Sequence, residues 1–147
     1  MTRAYVEIPA NSMYKYELDK ESGLLCLDRP LNQHIPANYG FIPDTLAEDG
    51  DALDVFIITN HPLLANTYCD ISILGIMQCT DNGVSDNKII AALKDENPNR
   101  YWNLEVDCIK KYLETYKPGF VYGCYLGEDY AREEIREYGS RYKDSGK

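Results

Sequence analysis

Three aspartates fall within the six residues DGDALD (49–54), directly ahead of an apolar run that begins at Val55. Gly50 permits a sharp backbone turn among them. On a straight strand Asp49 and Asp51 would share one face and Asp54 the other, so convergence requires a bend at Gly50–Asp51. A carboxylate-only ligand set suits Mg2+, Mn2+ or Ca2+ rather than zinc. A solvated acidic turn is the competing account. An EF-hand loop starting at Asp49 is excluded, because Leu53, Asp54 and Asn60 occupy its fifth, sixth and twelfth positions. A D-x-D phosphatase nucleophile normally follows an apolar strand, whereas here the strand comes after the aspartates.

A second acidic group lies in TDNGVSDNK (80–88), where Asp81 and Asp86 flank a glycine-containing turn. Lys88 shares a face with Asp86 if a strand has begun there. A polar hairpin explains the same residues without chemistry. Lys15 and Glu17 are two apart on one strand face, and Arg29 ends the partner strand. They form either a cross-strand charge cluster or a cationic wall for an anionic substrate, with Glu17 helping to hold a metal. Tyr116 and Lys117 close a helix, where a packed ring and a favourable C-terminal charge are also sufficient. REEIREYG (132–139) has the wrong residues at the key offsets of a nucleotide-pyrophosphohydrolase box and predicts a solvated helix face.

The elements that must position these groups follow from periodicity. Residues 5–8, 14–18, 24–29, 55–59, 68–79 and 88–93 predict strands, with DKESG (19–23) as a hairpin turn and a bulge near Gly75. The stretch QHIPANYGFIP (33–43) is broken by proline and glycine. Val106, Ile109, Leu113 and Tyr116 recur at helical spacing, predicting a helix over about 104–117 ended by Pro118-Gly119. Ala131, Ile135, Tyr138 and Tyr142 mark a second helix with Gly139 near its end, and FVYGCYLG between the helices predicts a short strand. Many short strands followed by two helices predict an α+β fold, mainly β, with a small curled sheet or barrel.

The 147 residues predict one domain with a core of its own. A net charge of −9 argues against nucleic-acid and anionic-membrane partners. The N-terminus lacks the apolar stretch of a signal peptide. Five scattered cysteines without a C-x-x-C pair, and only two histidines, predict free, mostly buried thiols in a reducing cytoplasm rather than a zinc site.

Taken together, VEIPAN (6–11), KYELDKESGLLCLDR (15–29), PANYGFIPDTL (36–46), DGDALDV (49–55), TDNGVSDNK (80–88) and YK (116–117) resemble the soluble family I inorganic pyrophosphatases, in order and with compatible gaps. The resemblance implies a five-stranded OB-like barrel with two flanking helices. It implies Mg2+-dependent hydrolysis of pyrophosphate to two phosphates, by direct attack of a water or hydroxide bridging two metal ions, with Mn2+ or other divalent cations as alternatives. On that resemblance Asp49, Asp54, Asp81, Asp86 and Glu17 hold metal. Asp51 is the general base, with Glu7 and Tyr39 orienting water and carboxylates around it. Lys15, Arg29, Lys88, Tyr116 and Lys117 hold the phosphates. A cytoplasmic homo-oligomer is implied as well. The chain departs from the pattern at Ala52, where proline is usual, and at Ile35, where tyrosine is common. Lys111 and Thr115 stand where bacterial relatives often carry interface histidines, which removes that support for a hexamer. The alternatives are another metal-dependent phosphohydrolase acting on nucleotides or phosphate monoesters, and a non-catalytic OB-fold binding module.

Overall fold

The strand-forming runs close on themselves. In the computed structural model, which describes residues 2–96 and 102–146, β1 (Thr2–Ile8) pairs with β4 (Asn38–Ile42), and β4 with β5 (Leu53–Ile58). β5 runs parallel to β8 (Lys88–Leu93), β8 pairs with β6 (Thr67–Asp81), and β6 returns to β1. This ring of five strands is the expected barrel. The far end of β6 carries β7 (Val84–Ser85) and β9 (Phe120–Gly127), while β2 (Tyr14–Asp19) and β3 (Leu24–Pro30) form a separate hairpin.

The apolar run after the aspartates has a structural cause. β5 and β8 are buried on both faces, as parallel strands are. Leu53, Val55, Ile57, Ile89 and Ala91 join a core cluster with Ala131 and Tyr138 of α2 (Glu128–Asp144). Phe56, Ile58 and Ile90 join a second cluster with Ile109, Tyr112 and Leu113 of α1 (Trp102–Glu114). Each fully buried Ile or Phe contributes about 1.5–3 kcal/mol, so the two strands make a stiff base for whatever sits at their ends.

β4 is a strand that the punctuation of QHIPANYGFIP hid. Gly40 is required there by close approach, since a Cβ would lie 1.7 Å from the Tyr5 carbonyl oxygen on β1. The bulge near Gly75 is present, between Ile73 and Gly75. α1 ends earlier than expected. The Thr115 and Tyr116 N–H groups bond the carbonyls of Tyr112 and Leu113, a tightened final turn, before Gly119 reverses the chain at φ 84°. Gly139 lies inside α2 rather than at its end. The cysteines are free, but only Cys79 is buried; Cys26, Cys108 and Cys124 are exposed. Part of the segment before α1 (97–101) lies outside the described residues. Among the described residues, no helix is long and apolar enough to cross a membrane.

Candidate active site

β5 and β8 are in parallel register with Asp54 opposite Lys88, so both side chains leave the barrel at the same end. One cavity of about 710 Å³ opens there, and every candidate residue named above except Arg29 lines it. Hairpin β2–β3 forms one wall and brings Lys15 and Glu17. The end of α1 brings Tyr116 and Lys117 to another.

The DGDALD segment turns as its glycine requires, with Gly50 at φ 88°. Ala47 N–H donates to the Asp51 carbonyl (2.7 Å), Gly50 N–H to the Ala47 carbonyl (3.1 Å), and Asp51 N–H to Asp49 Oδ1 (3.0 Å). Thr45 Oγ1 accepts from Leu53 N–H at 2.9 Å and donates to the Ile42 carbonyl at 2.6 Å, locking the turn onto the start of β5. The turn is therefore well tied without a proline at position 52, where Ala52 is buried. Asp49, Asp51 and Asp54 all face the cavity.

The floor is organised around Lys88, which is buried. Its ammonium donates to Asp54 Oδ2 (2.7 Å), Tyr39 Oη (2.8 Å) and Asp86 Oδ1 (3.0 Å). Burial works against the Lys88 proton, but Asp54, Tyr39 and Asp86 more than reverse it and hold the ammonium well above its ordinary pKa. Loss of hydration raises the Asp86 carboxyl; Lys88 opposes this and Asp54 adds to it. Asp49 is raised as well, chiefly by burial, with its Asp51 N–H bond pulling the other way. Tyr39, packed edge-on against Phe56 at 4.8 Å, is pushed well up by burial and the nearby Asp54. Glu7 is buried with Oε2 accepting from Leu18 N–H at 2.9 Å; burial first, then Asp54 and Glu17, raise its carboxyl to about 7.

The rim pairs its charges more loosely. Lys117 meets Asp81 at 3.0 Å and Lys15 meets Asp28 at 3.4 Å. Arg29, directly opposite Lys15 in the hairpin, lies beside the cavity and connects to it by donating to Tyr116 Oη at 3.3 Å. Asp28 was not among the candidates. It bridges the two hairpin cations, with Arg29 Nε at 3.8 Å, and hairpin pairing with its neighbour Arg29 was the available signal. Glu134 was assigned to a solvated helix face. Its neighbours Arg132, Glu133 and Arg136 are exposed, but Glu134 is half-buried and accepts from Asn87 on both oxygens (3.0 and 2.9 Å). The sequence holds no signal for that contact.

Seven candidate carboxylates (Glu7, Glu17, Asp49, Asp51, Asp54, Asp81 and Asp86) share the cavity with three candidate cations, Lys15, Lys88 and Lys117. The sequence of this chain matches the family model described as inorganic pyrophosphatase over residues 4–144. The chain belongs to the inorganic pyrophosphatase family. It is 38% identical over 153 residues to an inorganic pyrophosphatase of Halalkalibacterium halodurans, covering 95% of this chain and 94% of that protein. It is 34% identical over 152 residues to soluble inorganic pyrophosphatase 2 of Chlamydomonas reinhardtii, covering 95% of this chain and 79% of that protein. A crystal structure of an inorganic pyrophosphatase from Neisseria gonorrhoeae superimposes with a TM-score of 0.89 at 31% identity, covering 96% of this chain and 90% of that one.

Members of this family hydrolyse pyrophosphate to phosphate and depend on divalent metal. The donor set here fits such ions, because every carboxylate offers hard oxygen ligands to one cavity. Among the described residues, no three Asp, Glu, His or Cys side chains form a ready-made metal cage. Lys88 stands between Asp54 and Asp86 instead. Strand register places its ammonium there, and it offsets the mutual repulsion of the two carboxylates.

Proposed function

We propose that this cavity hydrolyses inorganic pyrophosphate to two phosphates with Mg2+, and that residues 1–147 act as one catalytic domain. Asp49, Asp54, Asp81, Asp86 and Glu17 hold the ions. The observation that carries this reading is the gathering of seven candidate carboxylates around one cavity of about 710 Å³ whose floor has one ammonium for two of them. Such an excess of negative charge repels pyrophosphate unless divalent cations reverse it. Bound Mg2+ supplies that reversal and lowers the pKa of coordinated water.

The chain's own groups do the rest. Asp51 sits exposed on a turn fixed by three hydrogen bonds, which suits a carboxylate that must take a proton from the attacking water. Glu7 and Tyr39 back the floor and hold water and carboxylates in place. Lys15, Lys88, Lys117, Tyr116 and, through its bond to Tyr116, Arg29 hold the phosphates and offset charge on the departing one. The rim pairs Lys15–Asp28 and Lys117–Asp81 open to release their ammonium groups to substrate, a small cost at half-exposed sites. On this reading the protein is a cytoplasmic homo-oligomer, and its charge of −9 disfavours nucleic-acid and anionic-membrane partners.

Phosphate release measured with saturating Mg2+ tests the assignment. Pyrophosphate is expected to be cleaved in preference to nucleotides and phosphate monoesters, and the reverse preference overturns the reading. Asp51→Asn is expected to lose a factor of about 100 to 10,000 in kcat, while folding and Mg2+ binding persist. An Asp51→Asn protein that keeps wild-type kcat removes Asp51 from the role of base.

A further inference from the structure

Asp86 and Lys88 hang from one short stretch of chain, and the residue between them faces the other way. Asn87 turns its carboxamide from the cavity toward α2, as alternation along an extended chain requires. Its oxygen accepts from Cys79 N–H on β6 at 3.0 Å. Its nitrogen donates to both Glu134 oxygens, at 3.0 and 2.9 Å. Asp86 N–H also bonds the Cys79 carbonyl at 2.9 Å, Ser85 pairs with Thr80 before it, and Lys88 after it is already held in register with Asp54 and Met77. Asn87 thereby clamps the stretch between a barrel strand and a helix seated in the core by Ala131 and Tyr138.

Glu134 is a costly residue for that place. It lies half-buried beside Ile135, and loss of hydration raises its carboxyl while the Asn87 bond pulls it down. We infer that Asn87 and Glu134 are positioning residues of the active site: through the backbone they hold Asp86 at the separation from Lys88 and Asp54 that the metal-holding floor requires. This rests on the proposed role of Asp86 as a metal holder. Lys88 is fixed by its own strand, so a small rotation of an unclamped segment swings Asp86 away from Lys88 and Asp54, and loss of groups that orient a ligand typically weakens metal binding 10–100-fold.

Calorimetric titration of Mg2+ alone into metal-stripped protein, with no pyrophosphate, tests this. Glu134→Leu and Asn87→Ala are each expected to bind Mg2+ about tenfold more weakly, and Glu134→Gln, which keeps an acceptor oxygen, within about twofold of wild type. Glu133→Leu, on the exposed face one residue away, is expected to bind as wild type does. A purely structural role lowers the unfolding midpoint without changing the affinity of the folded protein, so equal affinity in Glu134→Leu and Asn87→Ala overturns the inference. If Glu134→Leu does not fold, Asn87→Ala decides alone. A wild-type protein that binds no Mg2+ overturns the metal assignment itself; wild-type binding with unchanged variants overturns only the positioning role.

Discussion

The floor of the cavity and its rim are both made of ammonium groups set against carboxylates, at similar separations. Lys88 lies 2.7 Å from Asp54 and 3.0 Å from Asp86, and Lys117 lies 3.0 Å from Asp81. The environments differ. The Lys88 side chain is 4% exposed, whereas those of Lys117 and Asp81 are 34% and 27% exposed. Attraction at a given distance grows as the surroundings lose water, and so does the penalty for leaving one partner alone. The floor is therefore a fixed arrangement. The rim is a looser one, and under the proposed function its cations trade a carboxylate for a phosphate at small cost.

The strongest way to break this contrast is at Lys88. Lys88→Met leaves Asp54 and Asp86 facing each other in a buried place. Metal-free protein is expected to lose about 3–5 kcal/mol of stability, read by denaturant unfolding in the presence of a chelator. Added Mg2+ is expected to recover part of that loss, because a divalent ion neutralises the same carboxylates. A loss no larger than that of a rim variant, or no recovery with Mg2+, removes Lys88 from its role as the cation that holds the empty floor together.

Much of this arrangement was legible in the sequence, and the failures have physical reasons. Spacing alone located β5 and β8, and Gly50 marked the bend that makes Asp49, Asp51 and Asp54 converge. Periodicity could not find β4, because Gly40 is dictated by the approach of the Tyr5 backbone from another strand. Arg29 was read as part of a cationic wall with Lys15 but lies beside the cavity rather than lining it, since register fixes a backbone position and not the end of a long side chain. The Asn87–Glu134 contact spans 47 residues and joins the residue just before β8 to the middle of α2. Local pattern carries no record of such a meeting.

Glu7 sharpens the contrast through pH. Its carboxyl is pushed up from 4.5 to about 7, chiefly by burial. A raised carboxyl folds at no charge cost below about pH 4.5, and stability falls as pH rises through about 7, where the buried group must ionise. Glu7→Gln is therefore expected to stabilise metal-free protein above pH 7, by no more than about 3.5 kcal/mol, and to change little near pH 4.5. Unfolding curves at pH 5 and pH 8 in chelator measure the difference. A gain that is equal at both pH values, or larger at pH 5, shows that ionisation of Glu7 is not its source.

The smallest effect on stability belongs to the rim, and its value lies in separating binding from folding. Lys117→Ala removes a half-exposed pair and is expected to change stability by less than about 1 kcal/mol. If Lys117 is free to leave Asp81 for phosphate, KM for pyrophosphate rises roughly fivefold, equivalent to about 1 kcal/mol, with kcat much less affected. The effect shrinks as salt is raised toward 1 M, where screening acts within about 3 Å. Steady-state kinetics at two ionic strengths read both. A fall in kcat that is insensitive to salt places Lys117 with the fixed floor instead, and the division between a rigid floor and an exchangeable rim then fails at the residue chosen to represent the rim.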